Sequence, residues 1–391
     1  MTPPLVAPPS SRHVLIAGAG IGGLTLACAL QRAGVRATVF ERAEALRQVG
    51  AGIIVQMNAA LALRRIGLCD AVVAEGERPE QTLILDLAGR RISRVDVRSL
   101  QQELDAPMVA IHRARLQAVL RAHAGPEDAV RLGVSVTGFQ DAEGHVTVSL
   151  SDGTTVSGDV LVGADGLRSV VRSGLRGDEP TRYSGYTSWR GVCPGAEWVT
   201  AGQMIETWGP GARFGIVPIG HGEVYWYATL NAPAGAEDAP GQTLAVLQER
   251  FAGWHAPIAR LLAATPPERV LRTDIHDRPP LAHWSRGRVT LLGDAAHPMT
   301  PNLGQGGCQA IEDGVVLAEC LTAPGSVEDA LRAYEAIRVK RANAMVVRSH
   351  QVGRMAQWES TAARFVRDAL FRRVPESAAK NQLRQLVAPL R

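Results

Sequence analysis

The sequence predicts an α/β protein in three parts: a parallel-sheet domain assembled from separated stretches of chain, a second domain built on an antiparallel β-sheet, and helices at the C-terminus. Three observations carry this. A strand, a glycine turn, a helix and a second strand follow one another from residue 13. Two more strands run into glycine turns near residues 163 and 293. Between them lie short runs of β-rich alternation.

The first unit is the most explicit. His13 to Ala17 (HVLIA) is a short apolar run ending at glycine, the pattern of a buried strand. Gly18-Ala19-Gly20-Ile21-Gly22-Gly23 fits G-x-G-x-x-G, and Leu24 to Ala33 reads as a helix stopped by Gly34. A second strand, Ala37 to Phe40, ends at Glu41, 18 residues after Gly23. Gly18 permits the tight turn, Gly20 lets the backbone approach a pyrophosphate, and Gly23 lets helix and strand pack closely. The helix N-terminus offers N–H groups and partial positive charge to phosphates, and Glu41 would accept from ribose hydroxyls. This is a Rossmann-like dinucleotide site; the turn alone does not separate FAD from NAD.

Composition bounds the rest. The 391 residues exceed one typical core. Apolar residues make up 46% and charged residues 20%, ordinary values for a globular protein. The net charge of +4 comes from scattered arginines without a basic block, so no nucleic-acid arm is expected. Cys28, Cys69, Cys193, Cys308 and Cys320 are odd in number and form no C-x-x-C pair, which argues against a disulfide framework, a metal site or a dithiol centre. Free thiols point to a reducing cytoplasm. Val14 to Leu30 could pass for a signal peptide, but its four early glycines are spaced for a turn. No transmembrane segment is expected. Residues 1–12, rich in Pro and Ser, read as a disordered tail.

The second strand-turn is Val160 to Gly163, followed by Ala164-Asp165-Gly166-Leu167-Arg168-Ser169-Val170-Val171-Arg172. The third is Arg288 to Leu292, leading into Gly293-Asp294-Ala295-Ala296-His297-Pro298 and then Pro301-Asn302-Leu303-Gly304-Gln305-Gly306-Gly307. A helix follows from about Cys308 to Leu321, with Ile311, Val315, Ala318 and Leu321 on one face.

Together these segments resemble the signature of single-component FAD-dependent aromatic-ring monooxygenases. That family is of the salicylate and p-hydroxybenzoate hydroxylase type, close to FAD-dependent urate hydroxylase and zeaxanthin epoxidase. The similarity spans roughly residues 13 to 350. It implies non-covalent FAD, with NAD(P)H as a transient co-substrate because no second glycine fingerprint is present. It implies Asp165 beside the cofactors, Asp294 on the ribityl chain, and Gly304, Gln305, Gly306 and Gly307 at the flavin pyrimidine. Fixed N–H dipoles there would stabilise the negative charge of reduced flavin. Arg113 and Gly52 match family positions at FAD, and Arg42 and Val134 complete the implied cofactor set. His297 is not required as a base. The implied chemistry is transfer of one oxygen from a flavin C4a-hydroperoxide to a small aromatic or heteroaromatic substrate, with O2 consumed. Hydroxylation, decarboxylative hydroxylation and epoxidation all fit. Flexible glycine loops at 50–52 and 304–307 would let the flavin swing.

The motifs' spacing divides the chain. Residues 13–75, 107–180 and 276–340 would form the FAD-binding domain, 76–106 and 181–275 the substrate-binding sheet, and 341–391 C-terminal helices, with one more helix expected in the tail. Arg213, Tyr225, Tyr227 and Pro298 are candidates to line the substrate pocket between domains. A FAD-dependent reductase or dehydrogenase on the same scaffold is the alternative reading, and a non-redox binding protein with this fold is the remaining one. Paired cysteines for a thiol reductase are absent. A halogenase lysine is not in evidence either, since the first lysine is Lys340. Substrate identity, NADH against NADPH and oligomeric state are not written in the motifs.

Overall fold

A computed structural model describes residues 12–46 and 51–388. Except for Arg12, the expected N-terminal tail lies outside the described residues, as does Gly50 of the 50–52 loop.

The apolar strand His13–Ala17 sits at the centre of a five-stranded, all-parallel sheet. Arg36–Glu41 and then Val130–Leu132 flank it on one side, Val160–Gly163 and then Val289–Leu291 on the other. Parallel neighbours need crossovers, so strands from five separated stretches meet in one sheet. Residues 14–16 are fully buried because the sheet is covered on both faces. The helix Ile21–Arg32 packs on this sheet and against Gly306–Thr322. Gly314 permits that approach: a Cβ there would meet the backbone nitrogen of Leu26 at 2.8 Å. The dispersed domain expected from the motifs is therefore one sheet with one large core.

The second sheet has seven strands, in the order Leu271–Asp277, Arg182–Pro194, Glu223–Asn231, Ala212–Pro218, Gln203–Trp208, Gln81–Leu85, Arg91–Asp96. Its pairs are antiparallel except where Gln81–Leu85 joins Gln203–Trp208 in parallel. The hairpin from residues 81–96 and the strands after 181 thus share one sheet across a long excursion of chain. Alternation along Glu223–Asn231 sends Trp226 to one face, onto Phe214 with ring centroids 5.6 Å apart, and Tyr225 and Tyr227 to the other. The Trp226 face is closed by Thr243–Arg250 and Ile258–Ala263. The tyrosine face turns toward the parallel-sheet domain, joining Met57 and Ile54 with Met299 and Leu303 in one apolar cluster.

Two small sheets were not anticipated. Val136–Ala142, His145–Leu150 and Thr155–Gly158 form an antiparallel meander. Gly52–Val55, Val109–His112 and Gly76–Glu77 form another beside the glycine turn. At the C-terminus, Val327–Ala356 is one 30-residue helix. The tail adds two helices where one was expected. Thr361–Arg373 and Glu376–Leu386 are separated at Val374-Pro375, since proline has no N–H to continue the first.

Candidate active site

The glycine turn is built as its spacing requires. Gly18 has φ 102°, and a Cβ there would lie 2.5 Å from the Ala164 carbonyl oxygen. A Cβ on Gly23 would overlap the carbonyl oxygen of Gly18. Gly20 differs: the nearest atom to a Cβ there is 4.0 Å away, so this glycine opens onto free space. Glu41 is fixed at the lip of that space. One carboxylate oxygen accepts from the Ala19 N–H at 2.8 Å and the other from Ala43 at 3.0 Å. The Val134 backbone N–H donates to the Glu41 carbonyl at 3.0 Å, its side chain packs against the main core, and Arg42 is exposed beside Glu41.

The second motif closes on the first through Ala164, and its acidic side chain does local work. Asp165 accepts from Ser169 Oγ, from the Val170 N–H at 2.8 Å and from the Val171 N–H at 3.3 Å, capping the helix Val170–Arg176. Burial pushes its carboxyl pKa up, against those hydrogen bonds. Arg172 ties this motif to the third. Its buried guanidinium donates to the carbonyls of Ala295 and Ala296 at 3.1 and 3.2 Å.

Asp294 is exposed, although its neighbours in the third motif are buried. It stands on the floor of a cleft. Although its side chain is reached by solvent, the protein crowded around it displaces much of the carboxyl's water and raises its pKa, while His297 and Arg113 pull it back. Arg113 is also exposed, and its backbone N–H donates to Ala51 at 3.0 Å. Gly306 opens into the same cleft: a Cβ there would meet nothing closer than Met299 at 3.8 Å and Asp294 Oδ1 at 3.9 Å. It starts the 17-residue helix Gly306–Thr322, which has no side-chain N-cap bond, so its first N–H groups are free to meet an anion.

A buried polar network supports this floor. His297 Nε2 lies 2.6 Å from Asp313 Oδ2, which also accepts from the Gly293 N–H at 3.0 Å. Arg338, wholly buried, donates to Asp313 at 2.7 Å and also to Glu312 and Gln309. Asn58 donates to Glu312 at 2.9 Å and to Gln305 at 3.1 Å. Gln305 reaches Gln56 at 2.8 Å, and Gln56 donates to the Leu303 carbonyl at 2.8 Å. The loop 303–307, where Gly304 has φ 62°, is thereby fixed to the helix Met57–Arg65. Sequence reasoning named Gln305 and missed Asn58, Glu312, Asp313 and Arg338: Asn58 meets its partners 247 and 254 residues away, and Arg338 meets Asp313 and Glu312 only where two helices pack.

These features fit FAD. Open space over Gly20 and Gly306, an uncapped helix start, and exposed Asp294 and Arg113 side chains supply surfaces for phosphates, a ribityl chain and a pyrimidine ring. The chain matches the FAD binding domain family over residues 11–349. It belongs to the FAD-dependent aromatic-ring monooxygenases. It is 53% identical over 359 residues to an aurachin C monooxygenase/isomerase of Stigmatella aurantiaca, covering 92% of this chain and 93% of that one. It is 34% identical to a FAD-dependent urate hydroxylase of Klebsiella pneumoniae, covering 86% and 88%. The crystal structure of Klebsiella pneumoniae HpxO with FAD and uric acid superposes with a TM-score of 0.90 at 30% identity, covering 96% of each chain.

In this monooxygenase the sheet face turned toward the cleft carries the substrate candidates. Tyr225 is 8% exposed and its ring packs on Gly52, where a Cβ would sit 2.5 Å from the ring. Tyr227 follows it on the same face, ring centroids 5.9 Å apart. Pro298 is buried, and its neighbour Met299 points into the cluster with the tyrosines. Arg213 is only 2% exposed: Nε donates to Gln357 at 2.8 Å, Nη2 to Asn302 at 2.7 Å, and Nη1 faces Glu206 at 3.5 Å. Burial acts to lower its pKa, but Glu206, Tyr186 and Tyr227 hold it above the usual value. Tyr227 is pushed well above the ordinary phenol range by burial and by Glu206, to which its hydroxyl donates. Glu206, Asn302 and Gln357 were not foreseen. Glu206 had a signal, as the lone acid in the strand Gln203–Trp208.

All five cysteines are free thiols, and no described helix is long and apolar enough to cross a membrane.

Proposed function

We propose that this chain oxygenates a small heteroaromatic ring held between the seven-stranded sheet and the loop 299–305, using NAD(P)H and O2. The carrying observation is that Asp294 and Arg113, from different motifs, are both exposed in one cleft at the uncapped start of Gly306–Thr322. Bound FAD would supply the redox chemistry, passing two electrons from NAD(P)H to O2, with one oxygen atom reaching the substrate and the other leaving as water.

The residues would divide the work along the cofactor. Gly18, Gly20 and Gly23 shape the turn for the pyrophosphate, and Glu41, flanked by Arg42 and Val134, meets the adenosine ribose. Arg113 and Asp294 hold the middle of the cofactor. Gly304, Gln305, Gly306 and Gly307 direct N–H groups and a helix N-terminus at the pyrimidine, where reduction places negative charge. Asp165 acts by fixing the turn that abuts Gly18. Gly52 brings Tyr225 against the ring's surroundings. NAD(P)H would bind transiently, since the chain carries one glycine fingerprint. The uric acid bound to HpxO supports a heteroaromatic substrate. The sheet residues 81–96 and 182–277 would form the substrate domain, and the parallel sheet with its helices the FAD domain.

The test is stoichiometric. Purified holoprotein should be yellow, and a heteroaromatic substrate should accelerate NAD(P)H oxidation with equal uptake of O2. NAD(P)H use that leaves O2 unconsumed would exclude oxygenation. Because the Stigmatella aurantiaca relative is named as an isomerase too, products should be checked for skeletal rearrangement as well as added oxygen.

A further inference from the structure

Taking the tyrosine face of the sheet as the substrate face, as proposed above, we infer that Glu206 sets the charge class of the substrate: the site takes a neutral ring bearing N–H or O–H donors and rejects aromatic carboxylates.

A buried arginine in an aromatic hydroxylase pocket suggests a carboxylate-bearing substrate. Here the arginine is already engaged. Arg213 lies behind the face with almost no exposed surface, and Gln357, Asn302 and Glu206 occupy all three nitrogens of its guanidinium group. Its flat side lies 5.6 Å from the Tyr186 ring centroid. The partly exposed groups are Glu206, with 21% of its side chain accessible, and Tyr227.

The backbone is arranged to bring those two together. Along the register, Tyr227 faces Gly215, and Gly215 faces Glu206 one strand further on. A Cβ on Gly215 would overlap the Tyr227 ring. The glycine therefore lets the tyrosine lie across the middle strand and donate its hydroxyl to Glu206 Oε2. Trp208 Nε1 donates to the other oxygen, Oε1. A carboxylate held by Tyr, Trp and Arg donors is fixed in place. Arg213 and Glu206 together carry no net charge, so the face offers acceptor oxygens instead of a free cation. A second carboxylate brought beside Glu206 in a water-poor cleft would meet like-charge repulsion without a spare cation. A neutral lactam or phenol would donate to Glu206 or to the Tyr227 oxygen.

The experiment uses the FAD-loaded enzyme and isosteric pairs that differ only in charge: salicylamide against salicylate, and 4-hydroxybenzamide against 4-hydroxybenzoate. Binding is read from perturbation of the flavin absorbance. The wild type should bind each amide about tenfold or more tightly than its acid. Glu206→Gln keeps the shape and an acceptor for Tyr227 but frees the charge of Arg213. It should shift the acid-to-amide ratio toward the acid by about tenfold or more. Glu206→Asp keeps the charge and should retain the wild-type preference. Acids bound as tightly as amides by the wild type would overturn the assignment, as would an unchanged ratio or no acid binding in Glu206→Gln. If Glu206→Gln fails to hold FAD, the wild-type ratio decides. Loss of NAD(P)H-driven O2 uptake with every ring tried would instead count against the proposed function, whatever the binding ratios.

Discussion

Gly20 and Gly23 belong to one motif, yet the structure assigns them opposite sensitivities. An added Cβ at Gly23 would overlap the Gly18 carbonyl oxygen, which is backbone and cannot turn aside. Overpacking of this kind costs about 1–3 kcal/mol. In a chain of this size that lowers Tm by roughly 2–4 °C per kcal/mol. At Gly20 a Cβ meets nothing nearer than 4.0 Å, and the backbone, φ −68° and ψ 177°, suits any residue. Two small terms act there. Alanine is a poorer N-cap than glycine, by roughly 0.5–1 kcal/mol, and it restricts the unfolded chain by about as much. The net effect on the apoprotein should be close to zero. The space over Gly20, however, is where the cofactor pyrophosphate would lie. Gly20→Ala should therefore leave the Tm of the flavin-free protein unchanged and weaken FAD binding about tenfold or more, about 1.4 kcal/mol. Gly23→Ala should lower the apoprotein Tm. Thermal melts of stripped protein and fluorescence titration with FAD separate the two. Wild-type FAD affinity in Gly20→Ala would refute the placement of the phosphates, and an unchanged Tm in Gly23→Ala would refute the packing.

Other consequences can be measured separately. Asp294→Ala should fold normally by circular dichroism and purify with little flavin, because its side chain is exposed in the cleft and supports no packing. Asp313→Asn should destabilise the chain by about 3–5 kcal/mol in urea melts, because it strips a partner from the wholly buried Arg338. Burial alone would raise the Asp313 carboxyl, but His297 and Arg338 hold its pKa down to about 2. Its folded pKa is below the unfolded value, so this stabilisation is complete above about pH 4 and is lost as pH falls toward 2. Acid melts of Asp313→Asn should therefore lack the component that wild type shows in that window. Burial raises the Cys28 and Cys308 thiols to about 12 and Cys320 to about 11. At pH 8 the folded protein should accordingly label slowly with a thiol reagent and the urea-unfolded protein at all five cysteines.

What was legible in the sequence was local. Strand His13–Ala17, its turn and its helix could be read because each requirement, apolar run, glycine, cap and acid, lies within a few residues of the next. Trp226 and the flanking tyrosines could be assigned to opposite faces in principle, because alternation is a property of the strand itself. The meander from residues 136 to 158 was overlooked because its strands are half-exposed and carry no motif. Asp165 was named for its place in a motif; that its carboxylate also accepts from Ser169 and the Val170 N–H depends on the turn at Gly166. Arg213 was named as a pocket residue, and its confinement depends on Asn302 and Gln357, 89 and 144 residues away. No spacing rule reaches that far. The network joining His297 to Gln305 was hidden for a different reason: Arg338 is only 25 and 26 residues from its two acids, but helices Gly306–Thr322 and Val327–Ala356 must pack before they can meet.

A crystal structure of this chain grown with FAD bears most directly on the convergence of the three motifs. The expected density has the pyrophosphate over Gly20, the ribityl chain within hydrogen-bond reach of Asp294, and the pyrimidine edge at the start of Gly306–Thr322. Cofactor density elsewhere, or with Asp294 and Gly306 untouched, would contradict the account.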